Sequence, residues 1–202
     1  MFIYNHQFTV RTFSSILTME LISFIQQYIS LSAEAEHTIT SLVLDQTLQK
    51  GEVLNTAEKT CKRLYFVKKG AVRTYFYQNG KDITHWIYPA NTMVTSWYSY
   101  LAQTPAKDYI ETTITSNVVS LTYPEWQELY TSFPELERFG RLLVEEQMAA
   151  IDDFYKGYYF LSAKEKYELL INAIPNITQI ANLGHIASML GISQETLSRV
   201  RK

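Results

Sequence analysis

Cysteine is nearly absent from this sequence, since Cys61 is the only one among 202 residues. A single thiol cannot form an internal disulfide, supply a cysteine-based zinc site or hold an iron–sulfur cluster with the usual several cysteine ligands. The composition therefore argues against a disulfide scaffold and against redox sensing by a cluster.

Long apolar runs are also missing. No stretch of about 18 apolar residues occurs, and the N-terminus has no basic stretch followed by an unbroken apolar segment. Neither a membrane span nor a secretory signal is supported. The expectation is a cytoplasmic protein without a membrane partner.

Patterns typical of catalysis or metal binding do not stand out either. The four histidines, His6, His37, His85 and His185, show no His-x-His or His-Glu spacing of the kind that metal sites use. The sequence contains no evident nucleophile–base pair, glycine-rich phosphate loop or pair of catalytic carboxylates. It predicts no catalytic residue, no metal and no cofactor, and so a protein that is not an enzyme.

Basic residues are not in excess, because the formal net charge is -2. This argues against a chain covered with nucleic-acid-binding lysines, but the charge is unevenly distributed. In the last twenty residues Arg199, Arg201 and Lys202 stand against Glu195 alone. Basic charge therefore gathers at the C-terminus.

The period of the apolar residues divides the chain into segments. Residues 1–18 show no clean period and are interpreted either as a disordered arm or as an upstream start before Met19. Helical periodicity follows from Met19 to about Ile29 and near Ser32–Leu42. The hydrophobic content of 47% is enough to build a core.

The next stretch has strand-like periodicity. Its clearest part is Ala71–Tyr88, where two alternating runs flank Asn79-Gly80, a pair that tolerates the positive φ angles of a type I′ hairpin turn. Together with neighbouring runs this predicts an antiparallel β-roll or barrel of about eight short strands. The further predicted strands are Leu64–Val67, Met93–Trp97, Tyr109–Thr115 and Val118–Leu121.

A long helix is predicted from Glu135 to about Tyr158. At about 1.5 Å per residue such a helix is too long for a small roll to cover, so its apolar stripe is predicted to pack against a second copy of the chain. The alternative is a helix that packs within its own chain. The predicted dimerisation residues are Leu136, Leu143, Val144, Ile151, Phe154 and Tyr155.

The C-terminal segment has the spacing of a helix-turn-helix. Ser162 and Glu165 form a capping box that begins a helix, and a final helical pair spans Leu183–Leu190 and Gln194 to the end. Between these two helices Gly191 suits a left-handed turn and Ser193 suits an N-cap. The alternative is a helical corner that never contacts DNA.

The exposed side of the last helix is predicted to read double-stranded DNA. Glutamine can pair with adenine, glutamate can accept from cytosine N4, and arginine can bind guanine or a phosphate. Ser198, Arg201 and Lys202 suit phosphate contacts better. The predicted DNA-binding residues are Ser193, Gln194, Glu195, Thr196, Ser198, Arg199, Arg201 and Lys202.

From about Met19 to Lys202 the chain resembles the cyclic-AMP receptor protein and fumarate-nitrate regulator (Crp/Fnr) family of bacterial transcription factors. The resemblance lies in LYFVKKGAVRTYFYQNGKDIT, FPELER, FLSAKEKYELL and GHIASMLGISQETLSRVRK. In the last motif Glu195, Ser198 and Arg199 match the family's recognition-helix pattern. The resemblance implies a cyclic-nucleotide-binding-type jelly roll, a homodimer and a two-fold symmetric operator. It leaves RNA polymerase open as a further partner.

One departure concerns the effector. Nucleotide-binding members carry a phosphate cassette with a Gly-Glu pair and an arginine, whereas here Ala106 and Lys107 lie near the arginine position. Lysine replaces a bidentate arginine poorly, which argues against cyclic AMP. A small-molecule effector of unknown identity could instead contact Trp86, Trp97, Tyr98 and Lys107, although the favoured interpretation of any single aromatic is ordinary packing.

Together these observations predict an α+β chain with three parts. Residues 19–133 form the β-roll, residues 134–159 the long dimerisation helix, and residues 160–202 the helix-turn-helix domain. The predicted function is a dimeric, sequence-specific transcription regulator. The alternative is a β-roll small-molecule-binding protein or cupin-like enzyme whose last helices merely pack.

Overall fold

The computed structural model describes residues 20–201, without the side chains of residues 153–157. The expectation for residues 1–18 and the predicted DNA contact of Lys202 lie outside the described residues. So do the side chains of Phe154 and Tyr155, two of the predicted dimerisation residues.

Helices flank a central block of strands. Helix α1 covers residues 20–26. The elements that follow are α2 (Ala33–Leu42), β1 (Leu44–Leu48), β2 (Val53–Asn55), β3 (Arg63–Lys69), β4 (Ala71–Gln78), β5 (Lys81–Pro89), β6 (Thr92–Val94), α3 (Trp97–Ala102), β7 (Tyr109–Thr112) and β8 (Ser116–Thr122). The C-terminal part contains α4 (Tyr123–Ser132), α5 (Pro134–Tyr158), α6 (Ala163–Ala173), α7 (Ile177–Ile180), α8 (Leu183–Leu190) and α9 (Gln194–Val200).

The strands form two antiparallel sheets of four strands. One sheet has the order β1-β8-β3-β6 and the other the order β2-β7-β4-β5. Apolar side chains from both sheets lie in one core, including Phe66, Val72 and Ile110. The prediction of an α+β fold with an antiparallel β-roll is thus confirmed.

The β4–β5 hairpin turns as its sequence predicts. Asn79 and Gly80 have φ angles of 52° and 75°, and Gln78 pairs directly with Lys81 on either side of them. Two consecutive residues with positive φ are the signature of the type I′ turn, whose twist suits antiparallel strands.

Helices α1 and α5 pack on the roll through aromatic side chains. The rings of Phe24 in α1 and Phe139 in α5 meet edge to face at 6.2 Å, and Phe24 also contacts Phe66 of β3. Leu136, Phe139 and Leu143 are at most 3% exposed. The first part of α5 therefore belongs to the core of the roll.

The predicted strand Met93–Trp97 is wrong at its C-terminal end. Strand β6 stops at Val94, and Trp97 begins helix α3. The hydroxyl of Thr95 turns back to donate a hydrogen bond to the carbonyl of Arg63 at 2.9 Å. Strand β7 likewise ends at Thr112 rather than Thr115, although the amide of Thr113 still donates to the carbonyl of Ala71 at 2.9 Å in the register of the β4 ladder.

Two capping boxes mark helix starts. Ser162 accepts from the amide of Glu165 at 3.3 Å while Glu165 accepts from the amide of Ser162 at 2.8 Å, which confirms the predicted start of α6. Thr122 and Glu125 make the same reciprocal pair before α4. Within residues 20–201, no helix combines the length and the apolar character that crossing a bilayer requires.

Candidate nucleic-acid interface

The last four helices form a small bundle around a second apolar core, most of whose side chains the helices supply. Helices α6, α8 and α9 contact one another, and α7 packs on α8. The side chains of this core are at most 8% exposed. They are Tyr167, Leu170, Ile174, Ile177, Ile180, Ala181, Ile186, Ala187, Leu190 and Leu197.

A left-handed residue joins α8 to α9. Gly191 has a φ angle of 67°, and the amide of Ile192 reaches back to the carbonyl of Ala187 at 3.0 Å. This pattern satisfies the free carbonyl groups at the end of α8. A side chain on Gly191 would meet nothing within 4 Å, so the glycine is needed for its backbone conformation rather than for space.

Ser193 begins α9. Its hydroxyl accepts from the amide of Thr196 at 3.1 Å and lies 3.1 Å from the Thr196 hydroxyl. Because the Ser193 oxygen satisfies an amide that has no partner within the helix, it fixes where α9 starts. The start in turn sets which side chains face away from the bundle.

One face of α9 is buried and the opposite face is polar. Leu197 is fully buried, and Val200 is half-buried against the same core. The predicted contact residues Ser193, Gln194, Glu195, Ser198, Arg199 and Arg201 are all exposed, whereas Thr196 is half-buried. The structure therefore brings the described members of the predicted set onto one accessible surface, which we call the reading face.

Contacts within the reading face hold two of its side chains. Arg199 donates from Nη2 to the Thr196 hydroxyl at 3.3 Å, one turn earlier on the helix. The amide nitrogen of Gln194 lies beside Gly184 of α8, where an added Cβ would come within 2.6 Å of it. Gly184 therefore leaves the room in which the Gln194 side chain lies.

The six predicted dimerisation residues do not share one environment. Leu136 and Leu143 are 0% and 3% exposed within their own chain, so the prediction that they face a partner is corrected by their packing against the roll. Val144 and Ile151 are 37% and 50% exposed. Met148, which the sequence analysis overlooked, is 63% exposed and lies four residues after Val144 on the same side of α5.

The four residues predicted to contact an effector also differ in how exposed they are. Trp86 and Trp97 are half-buried, whereas Tyr98 is 70% exposed and Lys107 is exposed. Near Trp97 lie Tyr88, whose pKa burial raises to about 12, and Asp108, which accepts a hydrogen bond from Ser96. The sequence analysis overlooked Asp108. Tyr88 lies in β5 directly opposite the core residue Val72 of β4.

A groove of about 640 Å³ opens elsewhere, between α2 and α4. Leu42, Leu129 and Phe133 lie along it together with three glutamates, Glu34, Glu128 and Glu135. None of the four predicted effector residues lines this groove. In the part of the chain that the structure describes, no group of three or more histidine, cysteine or acidic side chains is arranged to hold a metal ion.

The sequence matches no protein-family model and no curated protein. The fold, however, is similar to many solved structures. FixK2 from Bradyrhizobium japonicum has a TM-score of 0.69 at 14% identity, covering 79% of this chain and 83% of that one.

A putative transcriptional regulator of the Crp/Fnr family from Eubacterium rectale has a TM-score of 0.63 at 17% identity, covering 84% and 82% of the two chains. The c-di-GMP responsive global regulator CLP of Xanthomonas campestris has a TM-score of 0.63 at 11% identity, covering 84% and 89%. At such identities a structural likeness shows the fold, and on this ground the chain has the Crp/Fnr-type fold, an antiparallel β-roll with a C-terminal helix-turn-helix.

Proposed function

We propose that this chain is a sequence-specific, DNA-binding transcription regulator that acts as a homodimer in the cytoplasm and not as an enzyme. The observation that carries the proposal is the reading face: Leu197 is buried while Glu195 and Arg199 of the same short helix are exposed. A helix capped and oriented in this way presents polar side chains to a groove, as recognition helices do.

The chemistry of the reading face suits base edges and phosphates. Arg199 offers a guanidinium for guanine or a phosphate, Glu195 an acceptor for cytosine, and Gln194 a donor–acceptor pair for adenine. Ser198 and Arg201 are assigned to contacts with the DNA phosphates. Ser193 and Thr196 belong to the same face, with their hydroxyls bonded within the start of α9. Lys202 completes the proposed set from the sequence.

The proposed dimer uses the exposed stripe of α5. Val144, Met148 and Ile151 follow the i, i+4, i+7 spacing of a helix that packs on a second helix. In such a dimer the two reading faces would enter successive major grooves about 34 Å apart. We keep the division into residues 19–133, 134–159 and 160–202 as part of this proposal.

Contacts inside the roll argue against a cyclic nucleotide as effector. The segment from Asn91 to Thr112 contains no arginine, and its buried Ser96 hydroxyl is bonded to the carboxylate of Asp108. A carboxylate at this position repels an anionic phosphate, which needs guanidinium or amide donors. Calorimetric titration with cyclic AMP should therefore show no binding. A micromolar dissociation constant would contradict this argument against a cyclic-nucleotide effector.

Selection from a random DNA pool tests the function directly. The purified protein should enrich a palindromic sequence whose affinity falls steeply with salt. The variant Arg199→Ala should lose about 10- to 100-fold in affinity, as removal of a base-reading arginine does. The control Arg138→Ala removes an exposed arginine of α5 and should leave the affinity unchanged.

A selection without enrichment has two possible explanations, and repeating the selection with cell extract distinguishes them. No enrichment by the protein alone, followed by enrichment when cell extract is added, would mean that an effector or RNA polymerase is required. No enrichment in either case, together with stoichiometric bound metal, would overturn the proposal in favour of a β-roll binding protein or cupin-like enzyme.

A further inference from the structure

Helix α8 covers an edge of the roll. Strand β5 is the outer strand of its sheet, and an edge strand leaves a row of backbone groups without strand partners. Helix α8 packs along β5. Ala71 of β4 and Ile87 of β5 are fully buried in the same apolar cluster as Ile186 and Leu190. The roll thus contributes two side chains to the core of the helix-turn-helix.

Ser188 contacts the backbone of this edge directly. Its hydroxyl accepts from the amide of Thr84 at 3.0 Å and lies 3.4 Å from the carbonyl of Asp82. The amide of Thr84 and the carbonyl of Asp82 point away from β4, because alternate residues of an edge strand direct their backbone groups outward. The β4–β5 ladder shifts at the next residue, where His85 is left as an extra residue. The serine therefore bonds where a neighbouring strand would.

A buried ionic network holds the edge in place beneath Ser188. Arg73 is 3% exposed and donates to the hydroxyl of Thr84 at 2.9 Å, to Asp82 at 2.6 Å and to Glu111 at 3.0 Å. Thr84 is thereby held through its side chain from the roll and through its amide from α8. The surface on which α8 packs is thus held by contacts within the roll as well as by α8.

Covalently, the bundle is joined to α5 by residues 159–162. Tyr159 and Phe160 in this connection are 72% and 89% exposed. At the end of α5, Tyr158 donates to the carbonyl of Met189 in α8 at 3.5 Å, and this contact and the buried contact of α8 with β5 together orient the bundle. In this packed arrangement the reading face stays exposed, so the arrangement is compatible with DNA binding.

We infer that Ser188 is a positioning residue, which through Thr84 fixes the angle between α9 and the roll and so limits the half-site spacing that the dimer accepts. The inference rests on the proposed function. If the bundle is held rigidly, both reading faces can bind only half-sites at one spacing. If the bundle is loosened, the dimer tolerates several half-site spacings but binds the preferred spacing with lower affinity.

The contact itself is measured first, without DNA. Hydrogen exchange of the β5 amides is compared between the wild-type chain, Ser188→Ala and the control Ser132→Ala, which removes an exposed serine at the end of α4. Ser188→Ala should speed exchange at Thr84 by about five- to tenfold, as loss of one hydrogen bond does. Unchanged exchange in Ser188→Ala, and in the bulkier Ser188→Gln, would overturn the inference whatever the DNA results.

The spacing is measured next on the selected operator, with the two half-sites moved apart or together by one and two base pairs. The wild-type and Ser132→Ala proteins should bind one spacing at least tenfold more tightly than the others. For Ser188→Ala this ratio should fall severalfold while the thermal unfolding temperature stays unchanged. An equal loss at every spacing, or tighter binding at all of them, would contradict a positioning role.

The two proposals fail in different ways. If the wild-type protein binds no DNA under any condition, the spacing role falls with the proposed function, and the exchange data still decide whether Ser188 holds α8 on β5. If the wild-type protein binds DNA with a sharp spacing optimum that Ser188→Ala and Ser188→Gln leave intact, only the inference falls.

Discussion

The guanidinium of Arg73 binds the carboxylate of Asp82 through two parallel hydrogen bonds. Nη1 lies 2.6 Å from Oδ1 and Nη2 lies 2.6 Å from Oδ2. The arginine side chain is 3% exposed, and its Nη2 also lies 2.9 Å from Glu111, which is 17% exposed. This cluster stabilises the outer face of the sheet against which α8 packs.

Removing the cation should cost more stability than removing one anion. Arg73→Ala leaves Glu111 buried without its partner, and we expect a loss of about 3 kcal/mol in the free energy of unfolding. Asp82→Asn should cost clearly less, because Asp82 is 37% exposed and water screens its charge. Urea denaturation of both variants checks the order, and a larger loss for Asp82→Asn would contradict it.

Gly70 should tolerate no side chain. An added Cβ would lie 2.3 Å from Oγ of Ser116 and 2.7 Å from the carbonyl oxygen of Thr115, at a φ angle of 91°. Because one of the clashing groups is backbone, Gly70→Ala should destabilise by more than about 3 kcal/mol.

Gly51 provides the matched control for this substitution. Its φ angle is 84°, but an added Cβ would meet nothing within 4 Å, so Gly51→Ala should cost only about 1–2 kcal/mol of backbone strain. Thermal or urea unfolding of the two variants measures the difference. Equal losses would mean that the close approach of Gly70 to Ser116 is not what requires glycine.

A charge placed in the exposed stripe of α5 should prevent dimerisation. Met148→Glu puts a carboxylate between Val144 and Ile151 in the proposed helix–helix contact, and desolvating an unpaired charge is costly. We expect the dimer dissociation constant to rise at least tenfold in analytical ultracentrifugation. Ala149→Glu adds the same charge at an exposed position on the opposite side of α5, and should change it little. A monomeric wild-type protein would refute the dimer.

Acid should weaken the packing around His185. Burial is the main cause that lowers the pKa of this imidazole, the charges of Arg73 and Lys50 act in the same direction, and Asp82 and Glu111 oppose them. Among the described residues, Nδ1 of His185 is buried with no hydrogen-bond partner, so a proton there gains nothing. The folded chain consequently disfavours protonated His185.

The sign of the pH effect follows from this lowered pKa. The unfolded chain takes up a proton near pH 6.5 and the folded chain only at lower pH, so the stability due to neutral His185 is complete above about pH 6.5 and is lost on further acidification. Urea denaturation between pH 5 and pH 8 should show the wild type losing stability relative to His185→Gln below about pH 6.5. His37 and His85 are present in both proteins, so their contributions cancel in the difference in stability. A constant difference across this range would contradict the prediction.

Local patterns determined much of this structure. The Asn79-Gly80 turn, the Ser162–Glu165 capping box and the Gly191-to-Ser193 turn each depend on residues at most a few positions apart, and each occurs as its sequence predicts. The polarity of the reading face also depends on nearby residues only, because the period of a short helix places Leu197 inward and Arg199 outward.

The environment of α5 required the tertiary structure. Leu136, Leu143, Val144 and Ile151 all read as one apolar stripe, but the roll reaches only part of the way along the helix. Leu136 and Leu143 are covered, whereas Val144 and Ile151 are exposed. Periodicity identifies which side of a helix is apolar, whereas the partner that covers it depends on segments far away in the chain.

The sequence by itself thus determined the elements, the turns between them and the polar surface of α9, because short-range sterics and hydrogen bonds specify these. The tertiary structure alone decided that α8 lies on the edge of β5, through a contact between Ser188 and Thr84 that spans 104 residues. Nothing in the local sequence around a serine of an amphipathic helix or around an amide of an edge strand indicates that the two will meet. They meet because both sides of the contact bury apolar side chains, Ala71 and Ile87 from the roll and Ile186 from the bundle.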